Sequence, residues 1–116
     1  MDEILKRLGL LHPKIIDLKL DRVKRLLRKL GNPEKSIPPV IHVAGTNGKG
    51  STIAMIKAGL QRSGLRTHTY TSPHLVSFNE RIEIGDKRIS EDALKEVLKE
   101  CEKVNDSQPI TFFEIT

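Results

Sequence analysis

The chain has 116 residues, 37% hydrophobic and 30% charged, with a formal net charge of +5, which leaves room for one small globular domain and little more. No apolar run approaches the ~20 residues of a membrane span, and Met1-Asp2-Glu3 lacks the basic stretch and cleavage site of a secretion signal, so no membrane partner is expected. The single cysteine, Cys101, cannot close an internal disulfide, which points to the reducing cytoplasm.

In chain order, Met1 to Leu11 places Ile4, Leu5, Leu8 and Leu11 at helical spacing, and His12-Pro13 breaks the pattern. A second helix is predicted from Asp17 to Leu30, with Leu20, Val23, Leu27 and Leu30 on its apolar face and Gly31-Asn32-Pro33 as its stop. Arg22, Lys24, Arg25, Arg28 and Lys29 form its polar stripe. No aromatic residues interleave with that stripe, so it reads as a solvated face and not as a nucleic-acid footprint. Ser36 to Pro39 is a connector, and residues 1–38 read as an N-terminal helical segment.

From Pro39 the pattern changes. Val40, Ile41 and Val43 predict a strand covered on both faces. Gly45-Thr46-Asn47-Gly48-Lys49-Gly50-Ser51-Thr52 then turns the chain into a helix predicted over Lys49 to Arg62, with Ile53, Ile56 and Leu60 on one side and Gly64 at its end. A glycine-rich turn feeding a helix N-terminus presents unpaired N–H groups to an anion. Lys49 adds a positive charge, and Ser51 and Thr52 add hydroxyls suited to Mg²⁺. The match to the usual G-x-x-x-x-G-K-[ST] spacing is partial, because Val43 stands at the first glycine position and Gly50 follows the lysine.

Arg66 to Thr71 predicts a second strand, parallel to the first through a right-handed crossover, with Ser72-Pro73 ending it at the same crevice as Lys49. His42 reads as a structural residue within the first strand, and His74 as a neighbour of the second strand's turn. Glu80 and Arg81 read either as an exposed ion pair or as part of a loop motif. Ile82-Glu83-Ile84, Gly85-Asp86 and Lys87-Arg88-Ile89 predict a hairpin. Ser90 caps a last long helix lined by Leu94, Val97, Leu98, Cys101 and Val104, followed by a loop over Asn105 to Pro109. Phe112 and Phe113, on their own, read as core.

These motifs resemble one family. G-T-N-G-K-G-S-T preceded by His42-Val43-Ala44, then Tyr70-Thr71-Ser72-Pro73-His74-Leu75 and Phe78-Asn79-Glu80-Arg81-Ile82, with Ile16-Asp17-Leu18-Lys19-Leu20-Asp21-Arg22-Val23 upstream and Thr111-Phe112-Phe113-Glu114 at the far end, are similar to the folylpolyglutamate synthase/dihydrofolate synthase branch of the Mur ligases. The resemblance implies an α/β fold. Residues 39–116 would begin a P-loop, Mur-ligase-type ATP-binding domain, the N-terminal part of a mainly parallel sheet flanked by helices and incomplete within this chain. It implies an ATP-dependent amide ligase that adds L-glutamate to dihydropteroate or a reduced folate through an acyl phosphate, acting as a monomer with ATP and Mg²⁺. Residues 45–52 would bind nucleotide, with Lys49 catalytic and Ser51 and Ser72 on the metal. Asp17, Leu18, Lys19, Thr111, Phe112, Phe113 and Glu114 would form the acceptor pocket, and Asn79, Glu80 and Arg81 a loop beside it. The family often has glycine where this chain has Lys19, which leaves the choice between dihydropteroate and tetrahydrofolate open. The chain is expected to be a fragment, inactive alone. The rival readings are a small kinase, a non-catalytic nucleotide-binding module, or a Mur-type ligase with a non-folate acceptor. A kinase would carry a hydroxyl directly after Lys49 and an arginine-rich lid, and neither is present.

Overall fold

The structure, a computed structural model, describes residues 1–14 and 16–116. Among them are helices α1 (Asp2–Gly9), α2 (Asp21–Lys29), α3 (Lys49–Arg62), α4 (Glu91–Asn105) and α5 (Phe112–Ile115), and strands β1 (His68–Tyr70), β2 (Ile82–Ile84) and β3 (Lys87–Arg88). The chain is α/β. It divides into two units, Met1–Pro38 with Glu91–Thr116, and Pro39–Ser90. No helix among the described residues is long and apolar enough to cross a membrane.

The first unit is helical, with α4 packing on α1, α2 and α5. Its core follows from helical period. Ile4 and Leu8, one turn apart on α1, are 5% and 0% exposed, and Leu94 and Leu98 on α4 are each 2% exposed. Leu26, Ile110 and Ile115 complete it. Acidic residues open α1 (Asp2, Glu3) and α4 (Glu91, Asp92), where the helix dipole favours negative charge. Arg7 on α1 donates both Nε and Nη2 to the Glu102 carboxylate on α4, each at 3.1 Å.

Three expectations for this unit change. The second helix starts at Asp21 and not Asp17, because the Asp17 carboxylate accepts the Lys19 N–H at 3.1 Å, a local turn that competes with helix. Leu20 therefore lies outside the helix body and is exposed, and Leu26 is the buried residue. Arg22 and Arg25 leave the solvated stripe and turn inward to partners near the chain's far end. Val97, expected on the apolar face of α4, is 51% exposed.

The second unit corrects the expected sheet. The three strands form an antiparallel sheet in the order β1-β2-β3, with Thr69 opposite Glu83 and Glu83 opposite Arg88. Residues 39–45 carry no strand, and Val40 and Ile41 are 70% and 61% exposed. A parallel strand needs neighbours along its edges and helices over its faces; here β1, β2 and β3 pair with one another instead. The β2–β3 turn requires glycine at Gly85, whose φ is 65°. Its N–H donates to His68 Nδ1 at 2.8 Å, tying the turn back to β1. Helix α3 joins the hairpin through a Lys57–Glu83 ion pair and a hydrogen bond from Gln61 Nε2 to Asp86 Oδ1. Ile53, Ile56 and Leu60 are half-buried on it.

Leu98→Ala removes a fully enclosed side chain and is expected to cost about 2–5 kcal/mol. Val97→Ala, one residue away on the exposed face, is expected to stay within about 0.5 kcal/mol. Urea unfolding followed by circular dichroism compares the two, and equal losses would contradict this packing.

Candidate functional site

The glycine-rich turn leads directly into α3. Gly48 is the residue before the helix and stands at φ 75°, ψ 7°, the left-handed region that a side chain disfavours. From there the backbone enters the helix at Lys49, so the N–H groups of α3's first turn lack intrahelical partners. The first intrahelical bond runs from the Thr52 N–H to Gly48 O at 2.9 Å, and the Thr52 hydroxyl donates to the same carbonyl at 2.8 Å. Lys49 Nζ donates to Gly45 O at 2.5 Å, which holds its charge over the turn. Thr46, Asn47, Gly50 and Ser51 are exposed around it. Thr52 is thus engaged with backbone, and Ser51 is the exposed hydroxyl beside it.

The second hydroxyl expected on a metal, Ser72, is exposed and precedes Pro73 across a cis peptide bond. Among the described residues no group of three or more His, Cys, Asp and Glu side chains is arranged to hold a metal ion. The donors offered by Ser51 and Ser72 are hard oxygens, which suit Mg²⁺, an ion that characteristically keeps waters and takes further ligands from phosphates. Each of the two hydroxyls is of the donor type that such an ion takes.

After Ser72 comes a loop built around one carboxylate. Glu80 accepts the backbone N–H groups of Leu75 (3.0 Å), Val76 (2.8 Å) and Ser77 (2.7 Å). These bonds, Ser77's foremost, lower the Glu80 pKa to about 2. Glu80 and Arg81 are therefore not the exposed ion pair considered from sequence. Arg81 Nε donates to His74 Nδ1 at 2.9 Å, and its guanidinium lies 4.6 Å from the centre of the buried Phe78 ring. His74 is thereby a loop residue held by Arg81. His42, expected to be structural within a strand, is exposed. The signal for the Glu80 anchor was present in the sequence, since Ser77-Phe78-Asn79-Glu80 has capping-box spacing.

In the helical unit the structure brings together the two segments singled out at opposite ends of the chain. Arg22 donates from Nε and Nη2 to the two Glu114 oxygens at 3.0 and 2.9 Å, and the same Nη2 lies 3.5 Å from Asp17 O and 3.6 Å from Asp17 Oδ1. Glu114 also accepts the Thr111 N–H at 2.9 Å, while Thr111 Oγ1 accepts the Glu114 N–H at 3.2 Å, a capping box that starts α5. Burial pushes the Glu114 carboxyl up, but the bonds from Arg22 and Thr111 and the Arg22 charge outweigh it, and the net shift is downward. The Arg22 guanidinium shifts up, chiefly through its hydrogen bond to Glu114. Of the expected pocket residues, Thr111 is fully buried, Phe112 half-buried, and Leu18, Lys19 and Phe113 exposed. Arg22 lies within the upstream segment of the resemblance, where the sequence marks it only as part of a solvated basic stripe.

No family model matches the chain. The dihydrofolate synthase/folylpolyglutamate synthase of Bacillus subtilis is 51% identical over 73 residues, which is 63% of this chain and 17% of that protein. The solved structure of Escherichia coli FolC in complex with DHPP and ADP superimposes with a TM-score of 0.87 at 37% identity, covering 98% of this chain and 27% of that one. The bifunctional folylpolyglutamate synthase/dihydrofolate synthase from Yersinia pestis, complexed with AMPPNP and Mn ion, gives a TM-score of 0.85 at 36% identity, covering 98% of this chain and 28% of that one. The chain thus spans under a third of each of these relatives and is similar to that part of them over most of its own length.

The depressed Glu80 pKa sets a pH window. The loop's stabilisation by the carboxylate is complete above the ordinary value of 4.5 and is lost as pH falls toward about 2. Amide chemical shifts of Leu75, Val76 and Ser77 should titrate together near the lower value, and Glu80→Gln should abolish that titration. A midpoint near 4.5 would show that the three-donor cradle does not form in solution.

Proposed function

We propose, with the likeness to dihydrofolate and folylpolyglutamate synthases as premise, that this chain supplies the phosphate loop and part of the acceptor site of an ATP-dependent ligase. The ligase joins L-glutamate to dihydropteroate, to tetrahydrofolate, or to both. The observation that carries the reading is the left-handed Gly48 opening α3, with Lys49 over the turn and Ser51 exposed. Relatives whose structures hold ADP, or AMPPNP with manganese, support a nucleotide and a divalent cation as ligands.

The chemistry follows from charge. An acceptor carboxylate oxygen attacks the γ-phosphorus of ATP, the bond to the β–γ bridging oxygen breaks, and ADP leaves with the bond's electron pair. The glutamate amine then attacks the acyl carbon, phosphate departs, and the amine's proton is released. In the first step negative charge moves onto the bridging oxygen, and Lys49 with the first-turn N–H groups of α3 is suited to neutralise it there. Gly45, Gly48 and Gly50 give the backbone room to follow the phosphates, Thr46 and Asn47 would contribute their N–H groups between them, and Thr52, bonded to Gly48 O, holds the turn in shape. Ser51 and Ser72 would hold Mg²⁺, which when bound supplies further charge neutralisation.

The acceptor side would be Asp17, Leu18 and Lys19 with Thr111, Phe112, Phe113 and Glu114. Half-exposed Phe113 offers a flat aromatic face for a pterin ring, and exposed Leu18 an apolar side chain in the other segment. The ATP-binding domain would begin at Pro39, and a mainly parallel sheet would use Val40 to Val43 as a strand once neighbouring strands cover it. The enzyme would act as a cytoplasmic monomer on small molecules, with no nucleic-acid or membrane partner.

In the full-length gene product, Lys49→Ala should lower folate-dependent ADP release by about 10²–10³-fold, the scale of losing one preorganised charge-stabilising donor. The 116-residue chain on its own, given ATP, Mg²⁺, glutamate and a folate, should release no ADP above background. Undiminished turnover by the lysine variant would overturn the assignment of the loop.

A further inference from the structure

We infer that Arg22 is the positioning residue of the acceptor site, the group that makes one surface out of two segments far apart in the chain. This inference rests on the acceptor reading above and adds a residue to it.

Asp17 and Glu114 are both carboxylates, and each belongs to a segment read as acceptor-binding. Side by side they would repel. The Arg22 fork lies between them, with two bonds of 3.0 and 2.9 Å to Glu114 and an ion pair of 3.6 Å to Asp17. The side chains of Arg22, Asp17 and Glu114 are only 16%, 18% and 9% exposed, so the cluster is screened little by water. A bidentate guanidinium–carboxylate pair also fixes direction, which a lysine ammonium does not.

Each carboxylate passes the constraint onward. Asp17 holds the Lys19 N–H, which sets the turn carrying exposed Leu18. Glu114 holds the Thr111 N–H, which sets α5 and so the angle at which Phe113 stands out. One turn along α2, Arg25 Nη2 donates to Asn105 Oδ1 at 2.9 Å and to Pro109 O at 3.2 Å, and Asn105 in turn donates to Gln108 O at 2.8 Å. The loop feeding Thr111 is thus gripped from the same helix. Helix α2 thus carries the side chain, Arg22, that bonds both the Asp17 segment next to Leu18 and the Glu114 segment next to Phe113.

The test uses the full-length gene product with Arg22→Met and Arg22→Lys. Hydrogen exchange at the Lys19 and Glu114 amides should rise together in both variants, while the amides of Leu94 and Leu98 stay protected. In steady-state assays the KM for the folate acceptor should rise about 10-fold or more with the KM for ATP unchanged. Arg22→Lys should not rescue, since it keeps the charge and loses the fork. If Arg22→Met does not fold, Arg22→Lys carries both measurements. Exchange that rises at only one segment, or acceptor and ATP KM values that move together, would overturn the positioning role. Coupled exchange in the variants, with a wild-type protein that turns over no folate, would instead reject the acceptor reading and leave the junction standing as structure.

Discussion

A left-handed backbone at Gly48 is the constraint on which the glycine-rich turn and its helix depend. With φ at 75° the chain reverses out of the turn and enters α3 within one residue, so the helix's unpaired N–H groups and Lys49 face the same small volume. A Cβ there would meet no neighbouring atom; the restriction is in the backbone and not in space. The anion-binding role proposed for this loop would therefore rest on conformation first and on charge second. Lys49 on Gly45 O and Thr52 on Gly48 O hold the conformation in place.

Polar side chains, more than apolar contacts, fix the irregular segments in both units. Glu80 replaces a stretch of secondary structure by accepting three successive N–H groups, which lets Leu75 and Val76 stand 93% and 89% exposed on a defined backbone. Arg22 and Glu114 do the same for segments separated by 92 positions. Regular helices bury Leu8, Leu94 and Leu98 and provide the rigid base, and charged groups shape what is mounted on it.

The sequence was legible where structure is local. Helical period located α1, α3 and α4 to within a few residues, and the Gly85-Asp86 hairpin formed as its turn chemistry predicts. The glycine-rich motif located the turn that opens α3 at Gly48. Pairing partners were not legible. β-branched residues at Val40, Ile41 and Val43 fit a strand equally well whether or not neighbours exist to cover it, and the antiparallel alignment of β1 with β2 is a non-local choice. The basic stripe on α2 misled for the same reason, since nothing near Arg22 or Arg25 reveals carboxylate and amide partners some eighty to ninety positions away. Two capping boxes, at Ser77–Glu80 and Thr111–Glu114, are local features that spacing alone signals.

The central claim is that this loop and this acceptor surface serve one reaction, glutamate ligation to a folate. The most direct measurement is ADP release by the full-length gene product with glutamate and Mg²⁺, with dihydropteroate and tetrahydrofolate supplied separately. The account predicts acceptor-dependent release with at least one of them. Release with both would show that Lys19 is compatible with a pterin lacking glutamate, and release with tetrahydrofolate alone would restrict the enzyme to chain extension. Release with neither, while ATP still binds, would contradict the account.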